Sequence, residues 1–363
     1  MFISGDPSLS PLTIFKQKRE GIARNTMMRC FLFSHARGAI IYYLKSITKA
    51  NGKRQVLFPD YICSDLTEAV REAGYEAKFY SINHDLIPNT SSLMNSIVDE
   101  TLAVLFVHYF GFLAPVGSLI ETCTQKGIHV INDFAHMVFY EELLDSQVVL
   151  KGDVSIFSLR KTFSIADGGL LFSPGYSSEM LSVDQPIRHK TEYLLYLKKL
   201  IKYLLGHTRF SPTIPYREEQ FYDNSFHEIK KISKLSELLF KLYIDIEMIK
   251  TSRRNNFLYY VNNFKDRCDL SGNFEMLYDK LNNYDVPYMF PLRLRGHNRK
   301  MIDALRKQGI PAISWPTLPN EVKGNNNHAA AIRLQETLIM LPLHQDIDKI
   351  RIEHVINKFC ALV

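Results

Sequence analysis

The stretch "TLAVLFVHYFG", Thr101 to Gly111, runs through six consecutive apolar residues, Leu102 to Val107, before it meets His108. A strand with one face in water alternates apolar and polar side chains, so an unbroken apolar strand must be covered on both faces. "RQVLFPDY", "EAKFYSI" and "IHVINDFAH" read as further strands. Between them lie helix-like segments: "SDLTEAVREAG", opened by Ser64 or Asp65 and stopped by Gly74, and "GSLIETCTQKG", ended by Gly127. Strand and helix in alternation predict an α/β fold with a parallel or mixed sheet between helical layers. Ligands of such sheets gather beyond the carboxyl ends of the strands, which puts "VHYFG", "NDFAH" and "SLRK" along one rim.

A length of 363 residues predicts two domains, or one large domain with a substantial appendage. The pattern changes after residue 206: "SKLSELLFKLYIDIEMIKTSRRNNFLYYVNNF", Ser233 to Phe264, has the spacing of one or two long helices. Beyond it "VPYMFPLRL" and "IPAISWP" read as strands, and "NRKMIDALRKQG" and "IRIEHVINKFCALV" as helices. We therefore expect a large domain over residues 1–250 and a smaller α+β domain over 251–363, with the boundary region near residues 245 to 260.

Several classes are disfavoured. The net charge of +6 is not concentrated in any basic block, so nucleic acid is not implied. Cys30, Cys63, Cys123, Cys268 and Cys360 are odd in number and contain no C-x-x-C pair, which argues against a disulfide framework or a structural zinc site. The start, "MFISGDPSLSPLTIFKQKRE", carries no export pattern, making the cytoplasm the expected location. The apolar segment "TEYLLYLKKLIKYLLG", Thr191 to Gly206, is interrupted by Lys198, Lys199 and Lys202 and reads as a packing helix, not a membrane span, with a basic amphipathic helix lying on a membrane surface as the lesser alternative.

Candidate chemistry centres on "GDVSIFSLRKTFSIADGGLLFSP", Gly152 to Pro174. A lysine amine is nucleophilic only when neutral, and apolar walls or a neighbouring cation lower its pKa toward that state. Lys161, beside Arg160, has that potential; a solvated surface lysine is the plainer alternative. Asp133 closes a run of apolar residues, where a carboxylate needs a positive or hydrogen-bonding partner. The protonated nitrogen of a pyridoxal phosphate ring would serve, and a helix N-cap accounts for the residue equally well. "FSHARGAIIYYL", Phe33 to Leu44, places small residues at a helix start whose backbone N–H groups could hold a phosphate, although capping by Ser34 also explains the pattern. Tyr109 reads as core, while His108 is polar enough at that location to favour a site role.

Taken together, "SHARGAI", "FPDYICSDLTEAVREAGYEAKFYSI", "VHYFGF", "INDFAH", "GDVSIFSLRKTFSIADGG", "RRNNF" and "LPLH" resemble, in the same order, the DegT/DnrJ/StrS sugar aminotransferase family of fold-type I pyridoxal phosphate enzymes. The resemblance runs from about residue 30 to the end. It implies a three-layer large domain with a mixed, mostly parallel sheet, a smaller C-terminal domain, pyridoxal 5'-phosphate as cofactor and no metal. By the same resemblance Lys161 would carry the cofactor and shuttle a proton, and Asp133 would hold the ring nitrogen protonated. His136 would approach the phenolic oxygen, and Ser158 with the backbone at Ala36 and Arg37 would bind the phosphate.

The family commonly has a longer interval than "SLRK" between that serine and the lysine. It often has a ring-stacking aromatic where this chain has Cys63, which leaves Tyr61 and His108 as stacking candidates. Its cross-subunit glycine-asparagine-arginine loop has no counterpart in the segment from Arg188 to Asp223. The implied reaction moves an amino group from an amino acid, glutamate, to a keto sugar, nucleotide-linked, in a homodimer with sites at the interface. Trp315 lies where related enzymes bring aromatic groups toward the substrate. Other chemistry on the same cofactor (lyase, decarboxylase or dehydratase) and a non-catalytic regulatory role are the rival readings.

Overall fold

The structure, a computed structural model, describes residues 24–175, 229–268 and 272–363, together with residues 3, 5 and 7. The basic segment Thr191 to Gly206 and the stretch Arg188 to Asp223 lie outside the described residues.

The apolar runs form strands, in chain order β1 (Cys30–Phe33), β2 (Gln55–Pro59), β3 (Glu76–Tyr80), β4 (Thr101–Val107), β5 (His129–Phe134), β6 (Val154–Phe157) and β7 (Gly169–Phe172). They make a seven-stranded sheet in the order β1-β7-β6-β5-β4-β2-β3. Strands β3, β2, β4, β5 and β6 run parallel; β7 is antiparallel to both β6 and β1. The expectation of a mixed, mostly parallel sheet holds, and its cause is visible in β4, every residue of which is buried. Parallel neighbours need crossover helices, supplied here by α1 (Ala36–Asn51), α2 (Ser64–Glu72), α3 (Thr90–Ser96), α4 (Gly117–Gln125) and α5 (Gln147–Lys151).

After β6 the chain makes one helical turn, α6 (Leu159–Thr162), and then β7. Two helices follow where one or two were expected, α7 (Lys234–Leu242) and α8 (Ile246–Cys268). Helix α8 spans residue 250, so the passage from the first region to the second occurs along a helix. A three-stranded antiparallel sheet, β8 (Phe274–Met276), β9 (Met289–Leu294) and β10 (Leu338–Pro342), is accompanied by α9 (Arg299–Lys307), α10 (Ala329–Thr337) and α11 (Lys349–Cys360). This second sheet fits the expected smaller C-terminal domain. Its core stacks the rings of Tyr260 and Phe264 on Phe290, at centroid distances of 4.6 and 5.5 Å.

Two expectations need correction. "IPAISWP" is not a strand: only Ile313 makes a bridge, to Met340. Pro311 and Pro316 lack the N–H groups a ladder requires. Cys360 is disulfide-bonded, whereas the cysteine pattern argued against a disulfide framework. Cys30, Cys63 and Cys123 are free.

Candidate active site

Lys161 sits in α6, directly beyond the carboxyl end of β6. The two-residue gap in "SLRK" is one tight turn: the Lys161 amide donates to the Ser158 carbonyl at 3.0 Å. Burial first, and the Arg160 charge second, bring the Lys161 amine down from 10.5 to about 8, against the opposing pull of Asp133. The neutral, nucleophilic form is therefore within reach near physiological pH. Ser158 is buried and stands at the N-cap position of α6 without making a side-chain cap.

The paired glycines after α6 have separate tasks. Gly168 has φ +152° and donates its amide to the Ser34 carbonyl at 2.7 Å. A Cβ on Gly169 would lie 2.2 Å from the His35 carbonyl carbon and 2.4 Å from the Ala36 nitrogen. Only glycine lets β7 approach the start of α1 so closely. That start is the candidate phosphate cradle. Its N-cap residue is His35, not Ser34, and no side chain caps it; the Ser34 hydroxyl instead meets the His35 ring at 3.1 Å. A long helix that begins without a side-chain cap offers its first-turn N–H groups, including those of Ala36 and Arg37, and its positive dipole end to an anion. The Arg37 side chain reaches the Asp65 carbonyl (3.4 Å) and carboxylate (3.9 Å), and its charge is felt at Lys161.

Asp133 lies on β5, with Ile156 of β6 as its register partner. Its carboxylate accepts the Ala135 N–H at 2.8 Å, a local turn and not the cap of a helix. Burial nevertheless raises its pKa, outweighing both that bond and the Lys161 charge. A cation held against it would restore the ionised form, which is what a protonated pyridine nitrogen supplies. His136 is buried, and burial followed by the Lys161 charge pushes its pKa well below the usual range, so its ring is neutral. The ring stacks on Tyr288 (5.1 Å, 3°) and meets Trp315 edge-on at 4.9 Å. The buried acid, the depressed lysine, the uncapped helix start and the glycine-cleared approach together fit pyridoxal phosphate.

The stacking candidates are engaged in packing, although the His108 amide donates to the Asp133 carbonyl at 3.0 Å. His108 is fully buried, stacked on Phe134 at 4.1 Å, with Nδ1 accepting the Ala114 N–H (3.0 Å) and Nε2 meeting Asn132 Oδ1 (3.3 Å). Burial depresses it to about 3, and its surroundings are those of a packing residue. Tyr61 is fully buried too, donating its hydroxyl to the Trp315 carbonyl and crossing the Trp315 and Tyr109 rings. Cys63, whose thiol burial pushes up, also feels the charges of Asp65, Lys161 and Arg37, so it stands near the lysine. Tyr288, beneath His136, gave no sequence signal of its own. Arg253 did: it occupies the apolar stripe Ile249, Phe257, Tyr260 and Phe264 of α8.

Solved structures share this architecture over the whole chain. Spr1654 from Streptococcus pneumoniae in its PLP form matches with TM-score 0.69 and 16% identity, covering 100% of this chain and 98% of that one. PseC of Helicobacter pylori, an aminotransferase involved in the biosynthesis of pseudoaminic acid, matches with TM-score 0.67 and 17% identity over 99% and 98%. At these identities the likeness establishes the fold, that of the fold-type I pyridoxal phosphate-dependent enzymes. Residues 29–178 match the model of the DegT/DnrJ/EryC1/StrS aminotransferase family, the family that the motifs resemble. No curated protein matches the chain by sequence.

Proposed function

We propose that the protein transfers an amino group from an amino acid donor, glutamate, to the keto group of a nucleotide-linked sugar used in polysaccharide or glycoconjugate synthesis. The observation that carries this reading is the Lys161 amine, brought to about 8 in electrostatic contact with the buried Asp133. When bound, pyridoxal phosphate supplies an electron sink for charge developing on the carbon beside the transferred nitrogen. Ser158 and the backbone at Ala36 and Arg37 would hold its phosphate, and Asp133 would keep its ring nitrogen protonated. Neutral His136 would face its phenolic oxygen. Lys161, freed of a proton near pH 8, takes the proton from the substrate carbon at Nζ and returns it, acting as base and then acid.

The sugar acceptor is supported by the family that residues 29–178 match and by likeness to PseC. A homodimer with sites at the interface, in which Tyr61 and His108 would help to line the cofactor site, completes the proposal; among the described residues no helix is long and apolar enough to cross a membrane. Incubation of the loaded protein with glutamate should release 2-oxoglutarate, and addition of a nucleotide-linked keto sugar should then yield the amino sugar. Cofactor binding without any conversion of glutamate would exclude this donor.

A further inference from the structure

Arg253 has no surface exposed to water. An arginine remains charged in almost any protein, so burying one is costly unless every donor finds an acceptor. Here Nε donates to Gln345 Oε1 at 2.9 Å, Nη1 to the Pro287 and Tyr288 carbonyls at 3.2 and 3.1 Å, and Nη2 to the Thr162 carbonyl at 3.4 Å. These acceptors are all neutral. Gln345 Nε2 donates to the same Thr162 carbonyl at 3.3 Å, so that peptide is held from two sides. Thr162 is the residue after Lys161 and ends α6. Tyr288 is the residue whose ring lies parallel to His136.

One guanidinium thus ties the backbone beside the lysine to the backbone beneath the histidine, although the two segments are far apart in sequence. We propose that Arg253 is a positioning residue, which through Thr162 and Tyr288 fixes the Lys161 amine and the His136 ring in one relation to each other. The inference rests on the reading of Lys161 and His136 as site residues. A planar fork suits this task and a lysine does not, because an ammonium on a flexible stem cannot serve separated carbonyls in fixed directions. A residue that merely filled the core would be replaceable, once folding was secured, without effect on the lysine.

The test uses Arg253→Lys, with Gln345→Ala as the milder variant that keeps the cation and removes a second donor from Thr162. Circular dichroism and thermal unfolding first establish that each variant is folded. In cofactor-free protein, competitive acetylation across a pH series, read by mass spectrometry of the Lys161 peptide, gives the midpoint of that one amine. The midpoint is expected near 8 in the wild type and displaced toward the ordinary 10.5 in Arg253→Lys. In the loaded enzyme kcat is expected to fall about 100-fold with KM little changed, the signature of misplaced reacting groups. Gln345→Ala should move both readings the same way and less far, and it decides the matter if Arg253→Lys does not fold. A folded variant with wild-type midpoint and kcat would overturn the proposal. Failure of the wild type to bind pyridoxal phosphate at Lys161 would instead overturn the functional reading, and the acetylation midpoints would still report on Arg253.

Discussion

The carboxyl end of β4 and the carboxyl ends of β5 and β6 look alike in sequence, each an apolar run that stops on polar residues. In the folded chain they differ in kind. At the end of β4, His108 spends both ring nitrogens on its surroundings and stacks on Phe134. At the ends of β5 and β6, burial pushes Asp133 and Lys161 toward their neutral forms while each feels the other's opposite charge. A buried polar group whose hydrogen bonds are met locally is scaffold. One whose burial is only partly compensated by its neighbours is a candidate for holding a ligand.

Substitutions sharpen this contrast. Lys161→Ala should lose the visible absorbance of bound cofactor and lower turnover by roughly 10⁴-fold, since it removes both the attachment point and the proton carrier. Asp133→Asn keeps the shape but not the charge; turnover should fall by roughly 10²-fold while thermal stability holds or rises. Ser158→Ala should weaken cofactor affinity by about tenfold in an equilibrium titration, the value of one hydrogen bond to a charged group.

His108→Ala should behave oppositely. By leaving the Ala114 amide and Asn132 without their partner it should cost about 2–4 kcal/mol in denaturant unfolding, with turnover changed less than about threefold. A large loss of turnover in a folded His108 variant would break the distinction between the two regions. The same residue sets a pH trend. The unfolded chain takes up a proton at His108 near 6.5, whereas the folded chain resists until about 3. Stability supplied by this site is thus complete above 6.5 and declines as pH falls through that window. His108→Gln should flatten the decline.

Much of the scaffold was legible because sheet strands covered on both faces must be apolar and crossover helices must be punctuated by glycine. Lys161, Asp133, His136 and Ser158 could be proposed because they lie at or just beyond the carboxyl ends of such strands. What escaped depends on distant partners. "IPAISWP" has strand-like composition, but its prolines and its packing against β10 decide its form. Tyr288 meets His136 only after the chain has folded back through β9, and Phe110 and Gly111 meet residues 286 to 288 by backbone bonds no local pattern encodes. The cysteine bond at Cys360 is likewise set by where the chain brings two thiols together, which spacing does not specify.

The claim on which the rest depends is that Lys161 is the residue that bonds the cofactor. Pyridoxal phosphate added to the purified protein, followed by borohydride reduction, proteolysis and mass spectrometry, locates that bond directly. The pyridoxyl group is expected on Lys161; its appearance on another lysine, or on none, would contradict the account.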